Sequence, residues 1–207
     1  MKLFHSPGSC SLGILILLEE IGQPYELEIT NLQQGAHRQP QYLELNPKGK
    51  VPALMRDGGG MLTEFPVIAY WLAKSHPGAG LLPAGLEDEV RVMELTEHIV
   101  SGLHMRGSVF AMVPQKFTAD AAAQADLRQH GQEVVREGFD RLAEQLGEGP
   151  YLFEDFTIAD AAAYYLMSWT DRIGVALPAP LQSYYDALTQ RPAVAAALER
   201  GFPNATA

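Results

Sequence analysis

Cysteine is nearly absent from this chain: Cys10 is the one thiol in 207 residues. No internal disulfide can form, no Cys-x-x-Cys dithiol exists, and the usage fits a reducing cytoplasm. Long apolar runs are missing too. The aliphatic run at residues 14–18, like the seven-residue apolar runs at 67–73 and 161–167, falls far short of the roughly 20 residues a membrane helix needs. The first ten residues hold one lysine and only Leu3 and Phe4 before polar residues, so no secretory leader is expected. Positive charge is scarce. Against 25 Asp and Glu stand 15 Lys and Arg, a formal net charge of −10, which weighs against nucleic acid or an anionic membrane as partner. Repeats and low-complexity tracts are also lacking, apart from the alanine triplets at 121–123 and 195–197, which are good helix formers. What remains is 47% hydrophobic and 19% charged, an ordinary globular composition with ample core, long enough for two modest domains or one large one.

The stretch around which the rest is organised is Leu45-Asn46-Pro47-Lys48-Gly49-Lys50-Val51-Pro52-Ala53-Leu54. A turn runs directly into a short apolar strand that opens on proline, which has no N–H to give a ladder. A cis Val51–Pro52 bond explains that proline best. It would leave the backbone N–H and C=O of Val51 facing outward, an edge on which an extended peptide can dock.

Read in order, residues 2–5 form a short buried strand and Ser6-Pro7-Gly8-Ser9 a turn. A helix opens at Cys10 and stops at Gly22. Residues 25–29 alternate as a strand, and residues 41–45 make one helical turn. Residues 51–56 and 61–63 form a hairpin across Asp57-Gly58-Gly59-Gly60. A helix then starts with Pro66 near its first position and fades by Ser75. The order β-α-β-(α)-β-β-α predicts a small α/β layer of about 75 residues. Residues 77–86 read as a linker between domain 1–76 and an all-helical domain 87–207. That second domain has long helices over 87–113 and 119–146, an apolar one from 157 to about 171, and two more over 181–190 and 193–200. Val90, Met93, Leu95, Ile99, Leu103 and Phe110 are expected inward on the first. Leu127, Val134, Val135, Phe139, Leu142 and Leu146 are expected inward on the second. Thr157 and Asp160 read as a structural capping box with Asp in place of Glu, and Trp71 and Trp169 as core or interface.

Cys10 follows the first strand at a helix N-terminus, where the dipole lowers a thiol pKa; the plainer reading is a small buried hydrophobe. A cysteine there, with a Val-Pro strand start about forty residues on, is the thioredoxin-like arrangement, and as a monothiol it would need an external thiol. Over essentially its whole length the chain resembles the bacterial, beta-type glutathione S-transferases. The matching pieces are Ser6-Pro7-Gly8-Ser9-Cys10-Ser11-Leu12, the 46–54 stretch, Leu62-Thr63-Glu64, Leu81-Leu82-Pro83 and Phe156-Thr157-Ile158-Ala159-Asp160. The resemblance implies a thioredoxin-like N-terminal domain, an all-helical C-terminal domain, a cytoplasmic homodimer, and glutathione as co-substrate at the domain junction. It implies that Val51, with Pro52 and Lys48 of the same motif, receives the cysteinyl part of glutathione. Glu64 would take the γ-glutamyl ammonium, and Phe65 the adjacent carboxylate at a helix N-terminus. It further brings His104 and Ser101 from the second domain, and leaves Cys10, Ser9 and Ser11 as alternatives for activating the thiol.

Three departures from the family pattern stand out. Phe65-Pro66 follows Glu64 where Ser or Gly is usual. Gln34, Gly35 and Ala36 stand where a basic residue often holds the glycyl carboxylate, leaving His37 or Arg38 as substitutes. Met105 and Glu97 replace the usual Lys and Asn. The function expected is transfer of glutathione to small apolar electrophiles over a wall of His104, Phe110, Met112 and Tyr165, with glutathione-dependent thiol–disulfide exchange at Cys10 as a companion activity. The alternatives are a non-catalytic binding protein on the same fold, favoured by Phe65-Pro66, and a thiol oxidoreductase without glutathione.

Overall fold

The computed structural model describes residues 1–202. The chain divides into two compact units, one made of Met1–Leu82 together with the chain from Thr189, the other of Pro83–Leu188. This differs from the expected 1–76 and 87–207 in one respect that matters: the last helix belongs to the first unit.

In the first unit a four-stranded sheet has the order β2-β1-β3-β4. Strand β1 (Lys2–His5) is central, parallel to β2 (Glu26–Ile29) and antiparallel to β3 (Ala53–Met55), which pairs antiparallel with β4 (Met61–Thr63). The parallel β1–β2 pair is joined through α1 (Ser11–Ile21), the crossover such a pair requires. Helix α1 ends at Gly22, whose φ of 68° is left-handed and suited to glycine. Every residue from Ser11 to Leu18 is buried, because α1 packs against β1 on one side and against the helices Phe65–Ser75 and Pro192–Gly201 on others; a helix apolar all round needs such cover. Helix α2 (Pro40–Leu45) precedes the organising turn and α3 (Phe65–Ser75) follows β4. The strand expected over 25–29 lies at the sheet edge, so Ile29 is 41% exposed despite its place in the alternation. The strand expected from residue 51 begins at Ala53, since Pro52 has no N–H for the ladder.

In the second unit α4 (Leu86–Glu97) runs into a π-helical stretch, His98–Ser108, and then α5 (Val109–Met112), ended at Pro114. The expected extent, 87–113, holds, but the middle is wound wider and the inward stripe is Val92, Thr96, Ile99 and Leu103, all buried. Val90 is instead 51% exposed. Thr96 joins an apolar stripe because its hydroxyl donates to the Val92 carbonyl at 2.7 Å, which removes the cost of burying it. Helix α6 (Ala121–Leu146) is capped by Asp120, which accepts from the Ala123 N–H at 2.7 Å. Val135, Phe139, Leu142 and Leu146 are buried as expected, and Leu127 and Val134 half-buried. Helix α7 (Ile158–Met167) is buried along its whole length. It stops short of residue 171; the chain turns at Ser168–Trp169 into α8 (Thr170–Ile173), and α9 (Ala179–Thr189) follows.

Helix α10 (Pro192–Gly201) was expected to finish the bundle, but it packs on α1. It buries Val194, Ala197 and Gly201 there, and ion pairs Arg191–Glu20 (2.5 Å) and Arg200–Glu19 (2.8 Å) fasten its ends. Among the described residues no helix is long and apolar enough to cross a membrane.

Candidate functional site

The Val51–Pro52 bond is cis, as the sequence predicts, and both residues precede the β3 ladder. The carbonyl just before them, that of Lys50, is gripped twice: the Tyr42 hydroxyl donates to it at 2.6 Å and the Asn46 amide at 2.8 Å. Asn46 is 1% exposed, and Val51 packs on the Phe4, Tyr42 and Ala53 cluster. The edge is therefore held rigidly by side chains that sequence reasoning passed over as turn and helix residues. Buried amide and phenol groups beside a Lys-Gly turn were the available signal.

Cys10 faces this edge, its Sγ lying 3.8 Å from the Val51 carbonyl oxygen. The thiol donates to that oxygen, a bond that favours the protonated form. The expected lowering of its pKa does not occur. Burial pushes the Cys10 thiol up to about 12, and the nearby Lys50 charge and the local backbone offset only part of that. Desolvation outweighs the helix-terminus effect, so Cys10 is a neutral thiol at physiological pH.

The turn before α1 is densely bonded. Ser9 Oγ lies 2.6 Å from Ser11 Oγ and 2.8 Å from the Ser6 carbonyl. Ser11 Oγ accepts from the Ser6 N–H at 3.1 Å and lies 2.8 Å from His5 Nδ1. His5 and Ser11 are fully buried, while Ser9 is half-buried.

Glu64 is the sole non-glycine residue with positive φ (69°) among those described, a conformation usually tolerated where function requires it. It presents its carboxylate to Lys48, whose Nζ donates to it at 2.7 Å and to Thr63 Oγ1 at 2.9 Å. Phe65 opens α3 with its side chain buried, and Pro66 supplies no N–H there. Of the possible glycyl-carboxylate holders, His37 is half-buried and Arg38 exposed, with the His37 carbonyl beside Gly49.

In the second unit His104 lies on the π-helical stretch, half-buried. Its Nδ1 is 3.3 Å from the Tyr165 hydroxyl and its ring stands edge-on to Trp169 at 4.8 Å. Trp169, read from sequence as plain core, belongs to this cluster; its spacing of four from Tyr165 was the signal. Ser101 is exposed and donates to the Glu97 carbonyl at 2.9 Å. Phe110 packs edge-on to Phe117, and Met112 is half-buried. Asp160 completes the capping box and also accepts from the Leu152 N–H and the Tyr184 hydroxyl; its role is structural, as expected.

The first unit is thus a thioredoxin-like layer that carries a cis-proline edge, a facing cysteine and an acidic residue with positive φ. Sequence models described as glutathione S-transferase N-terminal domain and C-terminal domain match residues 8–75 and 122–200. Glutathione S-transferase GstA of Escherichia coli O157:H7 is 29% identical, over 96% of this chain and 97% of its own. The bacterial beta class glutathione S-transferase of Sphingomonas chungbukensis superposes with a TM-score of 0.82 at 32% identity, covering 97% of this chain and 98% of that one. A sphingomonad glutathione S-transferase complexed with glutathione gives 0.83 at 33%, with the same coverage. The chain belongs to the glutathione S-transferase family.

Proposed function

We propose that the protein is a glutathione transferase that seats reduced glutathione on the Val51 edge and presents its thiol to small apolar electrophiles. The observation that carries the reading is the edge itself: a cis Val51–Pro52 step outside the ladder, with the Cys10 thiol 3.8 Å from the Val51 carbonyl. Val51 pairs with the cysteinyl backbone. Glu64 exchanges Lys48 for the γ-glutamyl ammonium, and the first turn of α3 at Phe65 meets the neighbouring carboxylate. Pro52 shapes the edge. Cys10, held neutral, donates its S–H to the glutathione sulfur and stabilises the thiolate, a role different from nucleophile. Ser9 and Ser11 border the same turn. In the second unit the half-buried His104 stands on Tyr165 and Trp169, both of them buried, so that Tyr165 is not open to a substrate as expected, with Ser101 exposed on the same stretch as His104; His104 and Ser101 are the second unit's candidates for meeting the electrophile. The family relationship favours this reading over a non-catalytic binding protein.

The protein acts in the cytoplasm as a homodimer. Its single cysteine suits a reducing compartment. Exposed Val67 and Tyr70 on α3, and Leu86 and Val90 on α4, are apolar surface of the kind subunit contacts cover.

Calorimetric titration with reduced glutathione tests the central claim. Saturable binding is expected, weakened roughly ten- to a hundredfold by Glu64→Ala, which removes a charged hydrogen-bond acceptor. Turnover of a chloronitrobenzene should accompany it. No heat up to several millimolar glutathione, from folded protein, would overturn the reading.

A further inference from the structure

The buried end of the serine turn is not used in the scheme above. His5 sits on the central strand with 0% exposure, and its two ring nitrogens face different partners. Nε2 is 3.2 Å from the Gly201 carbonyl oxygen of α10. A carbonyl can only accept, so Nε2 carries the hydrogen and Nδ1 is an acceptor. At 2.8 Å from Nδ1 stands Ser11 Oγ, whose hydroxyl proton is thereby spent on the imidazole. The 2.6 Å contact between Ser11 Oγ and Ser9 Oγ then requires the Ser9 proton. The Ser6 carbonyl takes the Ser9 N–H at 3.1 Å and also lies 2.8 Å from Ser9 Oγ; with a second lone pair it shares the Ser9 hydroxyl hydrogen with Ser11 Oγ. The hydrogen-bond direction is thus set from the half-buried Ser9 inward: Ser9 O–H to Ser11 Oγ, Ser11 O–H to His5 Nδ1, His5 Nε2–H to the Gly201 carbonyl.

As it stands, this chain points both hydroxyl protons away from the docking edge. Neither serine can donate to a thiolate until the direction reverses, and one event reverses it: arrival of a proton on His5 Nδ1. We infer that His5 is a positioning residue that receives the glutathione thiol proton through Ser9 and Ser11 and, in receiving it, turns both hydroxyls outward to hold the thiolate. The inference rests on the glutathione reading above. The balance is simple. The S–H bond of glutathione breaks and its proton joins Ser9 Oγ; the Ser9 proton passes to Ser11 Oγ, and the Ser11 proton to His5 Nδ1. No electrons are exchanged. The sulfur keeps its electron pair as thiolate, His5 becomes an imidazolium still bonded to Gly201, and each serine again carries one proton, now pointing toward the sulfur. When the thiolate is consumed by an electrophile whose leaving group departs as an anion, the proton on His5 returns outward by the same path and leaves with it.

Two features suit His5 to this task. Burial holds its pKa below the ordinary imidazole range, so in the free protein Nδ1 is vacant at neutral pH, and the proton is favoured there chiefly while a thiolate's negative charge is near. The imidazole is also fixed from behind, for a Cβ added at Gly201 would sit 3.0 Å from Nε2. This resolves the choice among Ser9, Ser11 and Cys10: the serines move the proton, while Cys10 adds a donor.

The test uses isotope-labelled full-length protein and nuclear magnetic resonance of the His5 ring nitrogens, with and without reduced glutathione at neutral pH. The expected result is a neutral ring bearing hydrogen on Nε2 alone in the free protein, and hydrogen on both nitrogens with glutathione bound. S-methylglutathione, which has no thiol proton, should leave the ring neutral. A ring that stays neutral while the ultraviolet band of bound thiolate is present overturns the relay and leaves the glutathione reading intact. Absence of glutathione binding to the unaltered protein overturns both. In His5→Asn the amide oxygen still accepts from Ser11 but takes up no proton. There kcat/KM at neutral pH should fall about a hundredfold, with the thiolate band of bound glutathione lost and the glutathione KM little changed. Ser11→Ala should do the same. Unchanged thiolate in both folded variants refutes the proposal.

Discussion

At Cys10 the local sequence and the folded environment push in opposite directions, and the environment wins. The helix start is visible in the sequence; the side chains that partly bury the sulfur are not. With burial driving the thiol to about 12, alkylation of Cys10 by iodoacetamide in the free protein should be slow at neutral pH and still be accelerating well into the alkaline range; a rate plateau near neutrality would show a stabilised thiolate. His5 carries a second consequence. Its folded-state pKa lies below its ordinary 6.5, so the stability it contributes is fully present above that pH. As pH falls below 6.5, the unfolded chain takes up a proton that the folded one refuses, and that stability is lost on the way down to the folded pKa. The urea midpoint should therefore drop less steeply with acid in His5→Asn than in the unaltered protein. The cis Val51–Pro52 step was legible because a proline opening a strand departs from ordinary strand chemistry; Glu64 was indicated by the family resemblance alone. His5 and Trp169 were not legible, because a lone ring in an apolar segment looks the same whether or not it meets a partner far along the chain.

Helices were read well where their stripes were wholly apolar and less well where small or polar residues did the packing. The seam between α6 and the π-helical stretch depends on glycines: a Cβ at Gly131 would stand 2.5 Å from the Gly107 carbonyl oxygen, and one at Gly138 2.2 Å from Leu103. No hydrophobicity pattern reports a seam made by missing side chains. Gly131→Ala, which would ordinarily favour a helix, should here destabilise by about 1–3 kcal/mol through overpacking, measured by urea unfolding. The start of α7 is the opposite case, written openly in Thr157 and Asp160. The Asp160 carboxylate accepts from the Thr157 N–H and hydroxyl, the Leu152 N–H and the Tyr184 hydroxyl. Asp160→Ala strips buried donors of their acceptor, and a loss of about 3 kcal/mol or more is expected, without a change in glutathione affinity if the role is purely structural.

For the molecule as a whole, five short motifs in order were enough to indicate the family, because turn and cap chemistry is local and leaves residues of fixed type. The assignment of α10 was not legible, since an amphipathic helix does not say which apolar face it covers. The fully buried α1 requires that cover, so a fragment ending at Leu82 should lack stable structure by circular dichroism and limited proteolysis; a folded fragment 1–82 would show that α10 is dispensable. The bond from His5 to Gly201 spans 196 positions. A ribosome that has released residues 1–82 has therefore delivered neither the cover for α1 nor the group that orients His5. Both arrive together, with the last helix. Nascent or prematurely terminated chains would neither hold glutathione nor ionise it.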